Sequence, residues 1–218
     1  MKAKKILFYI LAGILGGCVP VMSLHPLYTQ KDITFKKELL GTWVGDDNET
    51  WQFTADDEPN KPEKTYHLIF TDKEGKKGSF TATLVKLEDK IFLDVCPEQY
   101  PCTTTEEANQ IGWLYNQFFF IRVHTFIRVE STAPKLKLKL TNDENMKELL
   151  EQDPNAIAHE SIDDESFVLT APTEELQAFV LKYADDERVF SDETTLVKET
   201  AQEPNTPQAG KEADKREQ

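Results

Sequence analysis

The chain has 218 residues, with 25 Lys and Arg against 39 Asp and Glu, four His and three Cys, for a net charge of −14. A length of this order fits one folded domain with flanks, or two small ones, and 39% hydrophobic with 29% charged residues supports one packed core. The acidic balance argues against a nucleic-acid binder, whose footprint is a basic patch, and against adsorption to anionic headgroups by overall charge alone.

Lys2, Lys4 and Lys5 open the chain and the apolar run Ile6 to Leu15 follows. Such a run rises only about 15 Å as a helix, about half of the hydrocarbon core, so it reads as the basic and apolar parts of an export signal and not as a spanning helix. It ends in Leu15-Gly16-Gly17-Cys18. These four residues resemble the lipobox of bacterial lipoproteins. The resemblance implies a signal peptide of residues 1–17, cleavage before Cys18, a thioether to diacylglycerol on that Cys, and membrane attachment through acyl chains such as palmitate. An ordinary cleaved signal with a Cys nearby is the alternative. Cleavage removes three Lys and no acid, leaving 22 basic against 39 acidic side chains, a net −17 that leaves the hold on the membrane to the acyl chains. Val19, where an Asp would resemble an inner-membrane retention signal, points to the outer membrane of a host that has one, facing the periplasm or the cell surface.

Residues 18–32 contain Pro20 and Pro26 and no sustained period, and read as a lipidated Cys with a tether. Residues 33–197 read as the folded domain. Residues 198–218 read as a polar tail, because from Glu199 on there is no aromatic residue and no Leu, Ile, Val or Met to offset chain entropy.

Within the domain, period-two runs dominate. Trp51, Phe53 and Ala55 alternate with polar residues, as do Tyr66, Leu68 and Phe70, then Phe80, Ala82 and Leu84, then Ile91, Leu93 and Val95, and later Leu136, Leu138 and Leu140. Val123–Glu130 and Phe167–Ala171 read as further strands. Polar turns such as Asp46-Asp47-Asn48 and Lys73-Glu74-Gly75-Lys76 separate them. Once lipidation has used Cys18, export makes a disulfide between Cys96 and Cys102 the default, with two free thiols as the alternative. Closing so short a loop contributes about 2–2.5 kcal/mol. Thr141-Asn142-Asp143-Glu144 has the form of a capping box ahead of Met146, Leu149 and Leu150. A stronger helix is expected over Thr173–Ala184, with Leu176, Phe179, Val180 and Tyr183 as its apolar stripe. It must cover an outer patch or an open barrel end, with Val129 and the Leu136–Leu140 strand as candidate partners. The expected fold is mainly β, with α+β character: an antiparallel barrel or curved meander of about eight strands with a C-terminal amphipathic helix.

Leu40-Gly41-Thr42-Trp43 resembles the G-x-W motif of the lipocalin and lipocalin-like superfamily. The resemblance implies a lipocalin-like barrel with Trp43 as its plug, an Arg (Arg122 or Arg128) laid over that Trp, and an interior lined by Trp51, Phe53, Tyr66, Phe70, Phe80 and Leu84. The wider context, Ser23-Leu24-His25-Pro26-Leu27-Tyr28, Val123-His124-Thr125-Phe126 and Thr173-Glu174-Glu175-Leu176-Gln177, is similar to a family of uncharacterised bacterial lipoproteins and implies no activity.

No nucleophile elbow, metalloprotease helix, phosphate loop or dinucleotide fingerprint occurs, and the four His are too scattered for a helical metal pair. The acidic clusters lack the ligand spacing of a calcium loop. His124 is either a hydrogen-bonded core residue or half of a polar site. The reading is therefore of an envelope protein without catalytic residues, metal or cofactor, of unknown biochemical activity, with a structural role or a protein partner to dock. Its alternative is a carrier holding a small apolar or amphipathic ligand. An eight-stranded barrel can be filled by its own side chains or hold one such ligand.

Overall fold

Alternating strands bury one face each, and in the computed structural model, which describes residues 20–55, 64–98, 121–163 and 166–199, most of those faces close on one another. The described strands are β1 (Met22–Ser23), β2 (Ile33–Thr34), β3 (Gly41–Val44), β4 (Thr50–Ala55), β5 (Tyr66–Thr71), β6 (Lys77–Leu87), β7 (Lys90–Pro97), β8 (Thr125–Ser131), β9 (Lys135–Thr141), β10 (His159–Ser161), β11 (Phe167–Leu169) and β12 (Phe190–Lys198). Two α-helices lie among the described residues, α1 (Asp143–Gln152) and α2 (Thr173–Lys182).

Strands β3 to β9 pair in sequence order, β12 pairs with β9, and it returns to β3 through Val197 opposite Val44 and Lys198 opposite Trp43. With β6 also paired to β7, this closes an eight-stranded, up-and-down antiparallel barrel of lipocalin-like form. Closure leaves the barrel no unpaired edge. The expected strand count is met by a different strand, however. Phe167–Leu169 is not a barrel strand; it lies between β1 and β10 in a small outer sheet, and β12 takes the eighth place.

Inside the barrel, Trp43, Trp51, Phe53, Tyr66 and Leu84 are buried with Leu68, Leu93, Leu136 and Leu138, and Phe70 and Phe80 pack against them half-buried. All the expected lining residues thus face inward. Gly41 adopts φ +116°, a region closed to side chains, and an added Cβ would stand 3.0 Å from Lys198 Cε. That backbone shape turns the chain into β3 and seats Trp43.

A second core lies outside the barrel wall. Val85, Leu87, Phe92 and Phe126 point outward from β6, β7 and β8 and are covered by Met146, Leu149 and Leu150 of α1 and by Leu176, Phe179 and Val180 of α2. The expected stripe is therefore buried, with Tyr183 at its end, but not on the expected partners. Val129, Leu136 and Leu138 belong to the interior, because strand alternation turns them away from the helices. The cap of α1 also differs: Asn142 caps it by accepting from Asn145 N at 2.9 Å, while Thr141 Oγ1 accepts from Val21 N at 3.3 Å.

The segment expected as a tether packs as part of the fold from Pro20 onward. Val21, Ser23 and Leu27 are buried, β1 pairs in parallel with β11, and α2 holds the segment from outside. Thr173 Oγ1 donates to Pro26 O at 2.8 Å, and Gln177 Nε2 donates to Leu27 O at 2.9 Å.

Candidate functional site

The outward residues of β7 are Lys90, Phe92, Asp94 and Cys96. On a bare barrel Asp94 would be solvated; under the N-terminal segment it is 1% exposed. Its Oδ2 accepts from Leu27 N at 2.8 Å and its Oδ1 lies 2.7 Å from His124 Nδ1. The His124 backbone in turn exchanges two hydrogen bonds of 2.8 Å with Ser23. Beside them the Tyr28 phenol bonds to the Thr83 side chain and is held above its ordinary pKa, chiefly by burial and next by the Asp94 charge. One buried carboxylate therefore ties a backbone amide, an imidazole and two strands together.

A carboxylate that orients an imidazole through Nδ1 is half of an acid–base arrangement, and Cys96 is the nearby thiol. The thiol is not activated. Burial pushes its pKa up and the Asp94 charge adds to this, against the opposing influence of Arg122. A protonated, half-buried thiol is a poor nucleophile. Cys96 is free in this structure and Cys102 lies outside the described residues, so the bridge expected between them is not part of the described fold. Cys18 lies outside the described residues as well.

A second polar cluster occupies the outer face where β5 and β6 meet the end of β7. His67 Nε2 lies 3.0 Å from Ser79 Oγ and 3.1 Å from Glu98 Oε2, and Ser79 Oγ donates to the same Glu98 oxygen at 2.7 Å. A proton relay needs the acid on one ring nitrogen and the hydroxyl on the other. Here both meet Nε2, so the serine is held without being activated.

The barrel floor is built around the motif residues. Trp43 Nε1 donates to Leu39 O at 2.8 Å, and Lys198 Nζ stands 5.1 Å from the Trp43 ring centroid while donating to Glu38 O at 2.9 Å. The cation over Trp43 is therefore Lys198, and Arg128 turns outward to the Ala184 carbonyl and Asp185. Phe35 stacks on Tyr66 with centroids 4.6 Å apart. The Tyr66 hydroxyl accepts from Lys36 N at 2.7 Å, and burial pushes its pKa up to about 12. Higher in the interior, Trp51 stacks edge-on to Phe70 at 5.3 Å, and its buried Nε1 has no hydrogen-bond partner among the described residues.

The sequence reading singled out Trp43, the inward aromatics, His124 and the cysteines. It missed Asp94, Leu27, Tyr28, Ser79 and Glu98. Asp94 did carry a signal, as a lone acid within the apolar run Ile91–Val95. Ser79 and His67 carried none, since only the register of β5 against β6 makes them neighbours. Among the described residues no group of acidic, His and Cys side chains could hold a metal ion, and two shallow grooves of about 210 and 280 Å³ lie in the outer layer, along α1 and α2. The chain matches no family model, no curated protein and no solved structure.

Proposed function

We propose that the chain is an exported, lipid-anchored envelope protein that works as a rigid docking body and not as an enzyme. The observation that supports this reading is the apolar interior, where Trp43, Phe53, Tyr66, Leu84 and their neighbours are buried against one another. The polar clusters support it, because Asp94 and His124 are spent on holding the N-terminal segment and Cys96 is kept protonated. The lipobox-like Leu15-Gly16-Gly17-Cys18 supplies the anchor in this reading, and no helix among the described residues is long and apolar enough to cross a membrane. Cys18→Ser is expected to abolish lipid modification and leave the signal uncleaved. Fractionation of a lipoprotein-competent bacterium with mass measurement of the purified chain checks it. Wild-type protein that is unmodified and found only in the soluble fraction would reject the anchor.

One atom favours a carrier as a second reading. The buried, unpartnered Trp51 Nε1 is a donor that a ligand carbonyl or carboxylate would satisfy, and it sits between Phe53 and Phe70. Titration with a medium-chain fatty acid is then expected to change tryptophan emission in the wild type and not in Trp51→Phe. A flat titration of the wild type removes the carrier.

A further inference from the structure

We propose that the barrel wall formed by β9, β12, β3 and β4 rests against an anionic phospholipid surface, with Lys135 and Lys137 as its cationic contacts. The proposal builds on the lipid-anchored reading and adds an orientation to it. In ring order β3 lies diametrically opposite β7; the helical layer covers β6, β7 and β8, and among the described residues no helix packs over this wall. The two sides differ in charge. On α1 Asp143, Glu144, Glu148 and Glu151 outnumber Lys147, and on α2 Glu174 and Glu175 outnumber Lys182. Along the described strands of this wall the outward charges are Lys135, Lys137 and Lys139 against Glu193, with Glu199 following at the end of β12. Between them the outward side chains are uncharged, among them Thr42, Gln52, Thr54 and Thr195, with Val197 51% exposed.

Lys139 is neutralised locally, with Glu130 at 3.4 Å and Glu193 opposite it across the strand pair. Lys135 and Lys137 stand opposite Val197 and Thr195, and both are exposed. They are cations without an acidic cross-strand neighbour on a protein whose net charge is −14. Their side chains project from the same face of the same strand as Thr141, whose hydroxyl holds Val21 N at 3.3 Å. Only Val19 and Pro20 separate Cys18 from Val21, three residue steps with a reach of at most about 10 Å. An acyl anchor on Cys18 therefore starts beside the end of the lysine row, and the packed N-terminal segment gives it no spacer with which to lift the domain away. Against a negatively charged bilayer the acidic helical side is repelled and the lysine side attracted, each lysine near the surface favouring contact by about fivefold.

The test uses the mature lipidated chain, purified from membranes and reconstituted into vesicles of phosphatidylglycerol or of phosphatidylcholine, with amine-reactive labelling of each lysine read by mass spectrometry. On phosphatidylglycerol, Lys135 and Lys137 should label at least about fivefold more slowly than in detergent, while Lys182 on α2 is unchanged, and the protection should vanish on phosphatidylcholine. Lys135→Gln/Lys137→Gln should raise labelling of the neighbouring Lys139 on phosphatidylglycerol to its detergent rate. If the chain floats with the vesicles but Lys135, Lys137 and Lys182 label alike, the orientation is wrong and the anchor stands. If the chain does not float with vesicles at all, the anchor itself is wrong and the orientation falls with it.

Discussion

Asp94→Ala should destabilise the protein by about 3–5 kcal/mol, because it removes a buried carboxylate that serves two partners at once. The amide of Leu27 loses its acceptor at 2.8 Å, and the His124 ring loses its partner at 2.7 Å, both beneath the N-terminal segment. A buried donor left without an acceptor costs about 1–3 kcal/mol, and two such losses reach the expected range. The loss is expected to be local first. Residues 20–32 should become cleavable by protease at denaturant concentrations where the barrel still resists, since the barrel ladders do not run through Asp94's side chain. Asp94→Asn keeps one acceptor for Leu27 and should recover part of the loss. Urea unfolding with limited proteolysis reads both effects. An Asp94→Ala chain within about 1 kcal/mol of wild type would mean that the carboxylate does not hold the segment.

The second large effect separates two buried tryptophans of one barrel. Trp43→Ala should cost about 3–5 kcal/mol, the range for truncating a large buried aromatic. Trp43 is 1% exposed, donates to Leu39 O at 2.8 Å and lies under Lys198. Trp43→Phe keeps much of the apolar area but orphans the Leu39 carbonyl, so it should cost more than Trp51→Phe. Trp51 Nε1 has no partner to lose, and removing an unsatisfied donor offsets part of the lost packing. Equilibrium urea midpoints at unchanged slope order the three variants. If Trp51→Phe proves costlier than Trp43→Phe, the plug role of Trp43 is wrong, and Trp51 holds a partner that the described fold does not contain.

Most of the barrel was legible in the chain because period two is a local property. Trp51 and Phe53, Tyr66 and Phe70, and Phe80 and Leu84 lie two or four apart on amphipathic strands, and burial of the apolar face follows wherever those strands pair. The stripe of α2 was legible for the same reason at period 3.6. β12 was not. Only Leu196 on it is a buried apolar residue facing the interior, and the run Ser191-Asp192-Glu193-Thr194-Thr195 has no alternation to read. Its place is set by the gap between β9 and β3, which exists only once the other seven strands have curved round. Trp43 stands out in a four-residue motif, whereas the cation above its ring does not, since Lys198 lies 155 positions away and reaches the ring only because β12 pairs with β3.

The candidate site divides along the same line. The sequence by itself determined that the chain has an export-like start, one apolar face per strand, a helix with one apolar side and no recognisable catalytic motif, all of them properties of neighbours along the chain. Only the tertiary structure decided that the segment from Val21 packs, that Asp94 and His124 meet, that Ser79 and Glu98 share one nitrogen of His67, and that Lys135 and Lys137 stand on the wall away from the helices. These are long-range pairings. Register and barrel closure place the partners, and neither is a property of any short stretch of residues.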